Sequence, residues 1–131
     1  MILLDTHALV WLVAEPARLS RAATDAIRRA RSSGGLAVAS ITLWELAMLL
    51  VRGHVRGHGT VDASIRQVVD AARVTVREIT PVIAALSTQF PDDFPRDPAD
   101  RLIVATARAE GLTLVTRDER IRASALVRTV W

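Results

Sequence analysis

Carboxylates follow two apolar segments of this chain whose length and composition are typical of buried strands. Asp5 comes directly after Ile2-Leu3-Leu4, and Asp118 comes three residues after the apolar run 112–115. Because parallel sheets bind ligands at the carboxyl ends of their strands, both acids are predicted to lie at the edge where ligands bind. Asp5 has an alternative, purely structural role as the N-cap of the helix that follows. We favour the functional role because of its position at this edge.

Two further acids are predicted to reach the same edge from the first turn of a helix. Glu45 lies in the helix that follows the apolar segment 36–39, and Asp100 lies in a helix that opens at Asp97, which is a good N-cap. The spacing Thr42-x-x-Glu45 also matches a capping box, which would explain Glu45 without any chemistry. Position at the same edge as Asp5 favours the functional interpretation.

Four carboxylates from distant segments repel one another if they meet without a counter-ion. The set is Asp5, Glu45, Asp100 and Asp118. Hard divalent cations relieve such repulsion, and a site made only of oxygen ligands suits Mg²⁺ or Mn²⁺. One or two such ions activate a water molecule for in-line attack on phosphorus and stabilise the leaving oxygen. The acids therefore predict metal-dependent phosphodiester cleavage that requires no histidine or serine nucleophile.

The segments that position these acids alternate between strand and helix, which indicates an α/β fold. Strands are predicted at 2–4, 36–39, 74–79 and 112–115, with an edge strand at 127–131. Helices are predicted at 8–13, 21–31, 43–51, 61–72, 81–89, 98–110 and 119–123. With no linker or repeat, residues 1–131 are expected to form a single domain. We expect an α/β/α sandwich around a central, mostly parallel sheet of four to five strands.

The composition excludes several classes of function. The chain has no cysteine, which excludes disulfides and thiolate metal sites and fits a reducing cytoplasm. All 17 basic residues are arginine, so lysine nucleophiles are excluded, while arginine remains a good phosphate ligand. No apolar run approaches the roughly 18 residues of a membrane span, and the N-terminus has no basic leader. We therefore expect a cytoplasmic protein that does not associate with membranes.

Four segments of the chain contain the acids and their neighbours: Met1-Ile-Leu-Leu-Asp-Thr-His7, Ser40-x-Thr-x-Trp-Glu45, Phe94-Pro-x-Asp-Pro-Ala-Asp-Arg-Leu-Ile-Val-Ala-Thr-Ala107 and Leu114-Val-Thr-Arg-Asp118. Together these segments resemble PIN-domain proteins, and in particular the VapC-type toxins of bacterial toxin–antitoxin pairs. The segments occur in the family's order, and the resemblance runs from residue 1 to about residue 130. It implies a PIN fold, an endoribonuclease activity that depends on Mg²⁺ or Mn²⁺, and inhibition by a small cognate antitoxin.

The resemblance also implies roles for individual residues. The residues at the positions of the family's metal-site acids, which are the predicted catalytic residues, are Asp5, Glu45, Asp100 and Asp118. Thr116 falls at a hydroxyl that supports these ligands, Asp97 belongs to the Asp-Pro-Ala-Asp-Arg signature, and Thr6 adjoins Asp5 in the first segment. Independently of the resemblance, Arg101 and Arg117 lie beside two of the acids. They are candidates for binding the RNA backbone, with neutralisation of the acids as the alternative.

Protein partners are predicted from the surplus of apolar residues. The helices predicted at 8–13 and 61–72 carry more apolar residues than one small core requires, and exposed apolar patches mark partner sites. We therefore expect a homodimer, and a groove for the amphipathic C-terminal segment of the antitoxin, from which an arginine could enter the acidic site.

Other functions remain open at this point. A housekeeping PIN nuclease that processes RNA without an antitoxin would carry the same acids, and a short open reading frame upstream would distinguish the two. A catalytically inactive binding module is disfavoured because the set of acids is complete. A phosphoryl-accepting receiver domain shares an acidic pocket but needs a lysine, which this chain lacks.

Overall fold

A computed structural model describes residues 1–131, and its centre is one sheet of five strands in which every neighbouring pair is parallel. The strands are β1 (Ile2–Leu4), β2 (Leu36–Ala39), β3 (Val74–Arg77), β4 (Leu114–Val115) and β5 (Thr129–Val130). Their order across the sheet is β3-β2-β1-β4-β5. The predicted α/β fold with a mostly parallel sheet of four to five strands is confirmed.

The strands are connected by seven α-helices and one short 3-10 turn at Pro16–Arg18. The helices are α1 (Thr6–Ala14), α2 (Arg21–Arg31), α3 (Ile41–Val51), α4 (Val61–Ala72), α5 (Pro81–Ser87), α6 (Pro98–Glu110) and α7 (Glu119–Arg122). All predicted helices and strands are present, with ends that differ by a few residues. None of the helices has the length and hydrophobicity of a membrane-spanning segment.

Alternate residues of the strands pack on opposite faces of the sheet, which gives two apolar clusters. The first cluster joins the sheet to α1 and α2 and includes Leu4, Val38, Val115, Leu9 and Ile27. The second joins it to α5 and α6 and includes Leu3, Ala37, Leu114, Ile83 and Ile103. The sheet is therefore covered on both faces, as a parallel sheet requires, and the chain forms the predicted sandwich.

The carboxyl end of β1 lies where the connections of the sheet change direction. β1 is the central strand, with β2 on one side and β4 on the other. A crevice forms outside the carboxyl ends of the strands at such a point, and this crevice is the usual binding site of open α/β sheets. The Asp5 backbone N–H donates to the Val115 carbonyl oxygen at 3.1 Å, so the end of β1 is tied to the end of β4.

The capping box that was the structural alternative for Thr42 and Glu45 does not form. α3 begins at Ile41, and its N-cap residue, Ser40, makes no side-chain capping bond. Thr42 therefore lies inside the first turn, where its fully buried hydroxyl is 3.1 Å from Thr6 Oγ1. Because the helix starts earlier than the pattern suggested, the Glu45 carboxylate takes no part in capping.

The location predicted for surplus apolar faces is wrong. α1 and α4 pack against each other, and most of their large apolar residues join the first cluster as buried or partly buried side chains. The exposed large apolar side chains are Met1, Trp44, Val51, Val61, Ile79 and Val82, of which only Val61 belongs to either helix. The unpartnered apolar surface therefore includes α3 rather than α1.

Candidate active site

A cavity of about 700 Å³, here called the acid cavity, opens at the carboxyl ends of β1 and β4. Its wall contains the five acids singled out in the sequence, which are Asp5, Glu45, Asp97, Asp100 and Asp118. They come from four segments that are far apart along the chain and that the sheet brings together.

The N-cap position of Asp5 is compatible with its predicted place in the acid cavity. Asp5 is the N-cap of α1, where its Oδ1 accepts a hydrogen bond from the Ala8 N–H at 2.8 Å, and its side chain also lines the acid cavity. Burial raises the pKa of Asp5 above its ordinary value, while hydrogen bonds from Thr116 and Ala8 oppose this. Thr116 is fully buried, and its Oγ1 accepts from the Asp118 N–H at 3.1 Å. Thr116 therefore links the acid that follows β1 to the acid that follows β4.

Glu45 is held in the acid cavity by a threonine of the neighbouring helix. Thr6 Oγ1 donates to Glu45 Oε1 at 2.5 Å. Burial raises the pKa of Glu45, and the negative charge of Asp97 adds to this effect, whereas the bond from Thr6 opposes it. Thr6 adjoins Asp5 in the sequence, but its side chain holds Glu45.

The two acids at the start of α6 differ in their surroundings. Asp97 is exposed and caps the helix, with its Oδ1 accepting from the N–H of Ala99 at 2.8 Å and of Asp100 at 3.4 Å. Asp100 is half-buried, and its pKa is raised to about 7 by burial and then by the charges of Asp97, Glu45 and Asp118. A negative charge on Asp100 is therefore disfavoured unless a cation is present.

Asp118 is the acid whose charge is compensated by the protein itself. It caps α7, and its Oδ2 accepts from Arg120 at 3.2 Å. Partial burial alone would raise the pKa of Asp118, but the hydrogen bonds and charge of Arg120, with the Ile121 N–H, outweigh burial and lower it. Arg120 itself lines the acid cavity and was missed in the sequence. Its position two residues after Asp118, in the same capped turn, was the available signal.

The donor atoms fit a hard divalent cation in kind, although they are not gathered around one point. No group of three or more acidic or histidine side chains has the geometry to hold a metal ion as it stands. The raised pKa values of Asp5, Glu45 and Asp100 are nevertheless those of buried carboxylates that lack sufficient positive charge. An all-oxygen, partly buried donor set of this kind suits Mg²⁺ or Mn²⁺.

Arginines stand beside the acids on one side of the acid cavity. Arg117 and Arg18 both line it, and their guanidinium carbons lie 5.8 Å and 4.6 Å from the centre of the Trp11 ring. Cation–π contacts of this kind orient a guanidinium without using its hydrogen-bond donors. No sequence signal marked Arg18, which belongs to the 3-10 turn after α1.

Arg101, the other predicted RNA contact, lies outside the acid cavity. Its guanidinium donates to the carbonyl oxygens of Pro95 at 2.8 Å and Phe94 at 3.4 Å. Arg101 therefore holds the segment that leads into α6, and its binding to RNA stays a prediction without a supporting contact.

Comparison with known proteins identifies the family. A family model described as PIN domain matches residues 2–125. Over 132 aligned residues, the chain is 43% identical to Ribonuclease VapC22 of Mycobacterium tuberculosis (strain ATCC 25618 / H37Rv), and the match covers 99% of this chain and 98% of that protein. The chain belongs to the PIN domain family, and within it to the VapC group.

Solved structures share the fold at low sequence identity. VapBC2 from Rickettsia felis, bound to a DNA fragment from its promoter, matches with a TM-score of 0.73 and 17% identity, covering 98% of this chain and 97% of that one. The DNA-bound VapBC from Salmonella typhimurium matches with a TM-score of 0.70 and 19% identity, with the same coverage. These likenesses confirm the PIN-like fold.

Proposed function

We propose that this protein is an endoribonuclease toxin that hydrolyses RNA phosphodiester bonds with the help of Mg²⁺ or Mn²⁺. The observation that carries the proposal is the presence of Asp5, Glu45, Asp100 and Asp118 in one cavity at the carboxyl ends of the central strands. The full-length similarity to Ribonuclease VapC22 supports RNA as the substrate and favours a toxin over a housekeeping nuclease.

The four acids are the proposed cation ligands, and their neighbours hold them in place. A bound Mg²⁺ or Mn²⁺ lowers the pKa of a water molecule and stabilises the leaving oxygen. Thr6 holds Glu45, and Thr116 links Asp5 to the backbone of Asp118. Asp97 caps α6 and adds negative charge beside Glu45 and Asp100.

The arginines beside the acids are the proposed contacts to the RNA backbone. Arg117 and Arg18 reach the acid cavity from the side of Trp11, and a guanidinium pairs well with phosphate oxygens. The acids would thus act on a phosphate whose neighbours along the strand are held by arginine.

We further propose a small VapB-like antitoxin as partner, and a homodimer. The antitoxin is supported by the similarity to the VapBC proteins of Rickettsia felis and Salmonella typhimurium. An arginine of this partner can enter the acid cavity and pair with its carboxylates. Light scattering at micromolar concentration tests the dimer, and a monomer would contradict it.

The test of the nuclease is cleavage of single-stranded RNA by the purified protein. We expect cutting with Mg²⁺ or Mn²⁺, none in EDTA, and a loss of cutting in Asp5→Asn and Asp118→Asn. Asp62→Asn is the matched control, since Asp62 is an exposed acid on α4 that does not line the acid cavity. Cutting that persists in EDTA would refute the metal-dependent mechanism.

A further inference from the structure

Beside the acid cavity lies a second cavity of about 660 Å³, here called the α3 groove. One wall is a face of α3 that carries Ile41, Trp44 and Met48, and another is formed by Pro98 and Ala99 at the start of α6. The groove is therefore largely apolar, unlike the acid cavity.

The α3 groove and the acid cavity adjoin each other. Thr6, Glu45 and Asp97 contribute to the walls of both. A strand of RNA with a phosphodiester over the acids therefore has an adjoining nucleotide beside the groove. The groove therefore lies where it can bind part of the RNA substrate.

Trp44 lines the groove but takes no part in the apolar core of the fold. Its side chain is 57% exposed, and it forms no aromatic or cation–π contact. Trp11, by contrast, is buried and packs against His7, Trp131 and two arginines. An exposed indole offers a flat apolar surface with a large area to bury on binding.

The charge at the end of the groove complements a nucleotide. Arg52 follows the last residue of α3, is exposed, lines the groove and takes part in none of the ion pairs of the chain. A nucleotide combines a flat base with a negative phosphate, and the groove offers an aromatic surface and a free guanidinium for these two parts.

We propose that the α3 groove binds one unpaired base next to the scissile bond, with the base stacked on Trp44 and a neighbouring phosphate near Arg52. This inference rests on the proposed function. It narrows the substrate to RNA whose bases are free at the cut, because a base within a duplex cannot leave its stack to enter the groove at low cost. Stacking tolerates every base, so Trp44 selects single-stranded RNA rather than one sequence.

Binding without cleavage is the first measurement. The probes are a fluorescent oligoadenylate of 12 nucleotides and a sugar-phosphate oligomer of the same length without bases, titrated at low salt in EDTA. The wild-type protein should bind oligoadenylate about 5- to 140-fold more tightly than the baseless oligomer, which corresponds to one stacked base. Trp44→Ala should lose most of this preference, and Trp44→Phe should keep a large part of it.

The matched control is Val51→Ala, which removes another exposed apolar side chain of α3 that does not line the groove. It should bind both probes as the wild type does. Melting temperatures of Trp44→Ala and Trp44→Phe should match that of the wild type, since the Trp44 side chain is mostly exposed.

The second measurement is cleavage of a randomised single-stranded RNA and of a duplex. With Mg²⁺ or Mn²⁺, Trp44→Ala should reduce kcat/KM on the single strand by about 5- to 140-fold, the same range as the loss in binding. It should also reduce the preference for single strand over duplex. Equal binding of both oligomers by the wild type, or no binding of either, would overturn the inference. The inference would also be overturned if Trp44→Ala kept the wild-type binding preference and cleavage rates but no longer co-purified with the product of a neighbouring short reading frame. In that case Trp44 would contact a protein partner rather than RNA. Base-dependent binding through Trp44 without any cleavage would instead refute the proposed function, and with it the scissile bond, while leaving the binding of a base in the α3 groove established.

Discussion

Thr6 Oγ1 donates a hydrogen bond to Glu45 Oε1 at 2.5 Å, and this bond joins the helix that follows β1 to the helix that follows β2. Thr6 is buried, and the same oxygen lies 3.1 Å from the buried hydroxyl of Thr42. One hydroxyl thus orients an acid of the cavity and satisfies a polar group of the core.

Thr6→Val should therefore reduce both stability and activity. Leaving the buried Thr42 hydroxyl and Glu45 without this partner should cost about 1–3 kcal/mol of unfolding free energy. Urea unfolding and RNA cleavage rates test this, with Thr6→Ser expected to retain most of both. Thr75→Val, at an exposed position of β3, is the control. If Thr6→Val cleaves RNA at the wild-type rate, the hydrogen bond from Thr6 is not needed to orient the Glu45 carboxylate for cleavage.

Asp97 and Asp100 should respond to substitution in opposite ways. Asp97 caps α6, so Asp97→Ala should cost about 0.5–2 kcal/mol of stability, and Asp97→Asn should restore most of it while keeping much of the metal-dependent activity. Asp100→Asn should fold but lose RNA cleavage, because it removes a proposed cation ligand. Paired thermal melts and cleavage rates decide this. If Asp100→Asn cleaves at nearly the wild-type rate while Asp97→Asn does not, the ligand is Asp97.

The pH dependence of stability in EDTA should report the crowding around Asp100. Its pKa is about 7 in the folded protein, because of burial and the neighbouring acids, against an ordinary value of 3.8. Within that window the folded state holds a proton that the unfolded chain has released, so stability contributed by Asp100 falls as pH rises. Melting temperature should decline from the lower to the upper end of the window, and less steeply in Asp100→Asn. Mg²⁺ should reduce the decline, since a cation binds the charged carboxylates. Parallel profiles for wild type and Asp100→Asn would contradict this account.

Arg117→Gln should weaken RNA binding uniformly across sequences and lower its salt dependence. Losing one contact to a single-stranded phosphate should reduce the slope of log K against log salt by about 0.7. Titrations of a labelled oligonucleotide at several salt concentrations measure the slope. Arg21→Gln, which removes an exposed arginine of α2 that lies outside the acid cavity, should leave the slope unchanged.

Arg101→Gln should instead affect folding. The Arg101 guanidinium donates to the Pro95 and Phe94 carbonyl oxygens, and a bond from a charged donor is worth about 1.5–3 kcal/mol. Denaturant unfolding should show the loss, while the salt slope of RNA binding stays the same. A fall in RNA affinity without loss of stability would support the RNA contact predicted from the sequence.

The sequence by itself determined the α/β architecture and the approximate position of every strand and helix. A short apolar run bounded by polar or glycine residues predicts a buried strand or helix from the local sequence alone, because the run itself must be buried and its neighbours must not. The acids at the ends of β1 and β4 followed from the same pattern. Their convergence in one cavity could be predicted because carboxyl ends of parallel strands meet at one edge of a sheet.

Only the tertiary structure decided how the side chains around that cavity are partnered. A capping box formed by Thr42 and Glu45 was compatible with the sequence. In the structure α3 begins at Ile41, and the Thr42 hydroxyl contacts the Thr6 hydroxyl instead. Arg117 and Arg101 each adjoin an acid, yet only Arg117 lines the acid cavity. These choices depend on contacts between segments far apart in the chain. Local spacing therefore cannot determine them, and Trp44 could be recognised as exposed only once α3 was packed against the sheet.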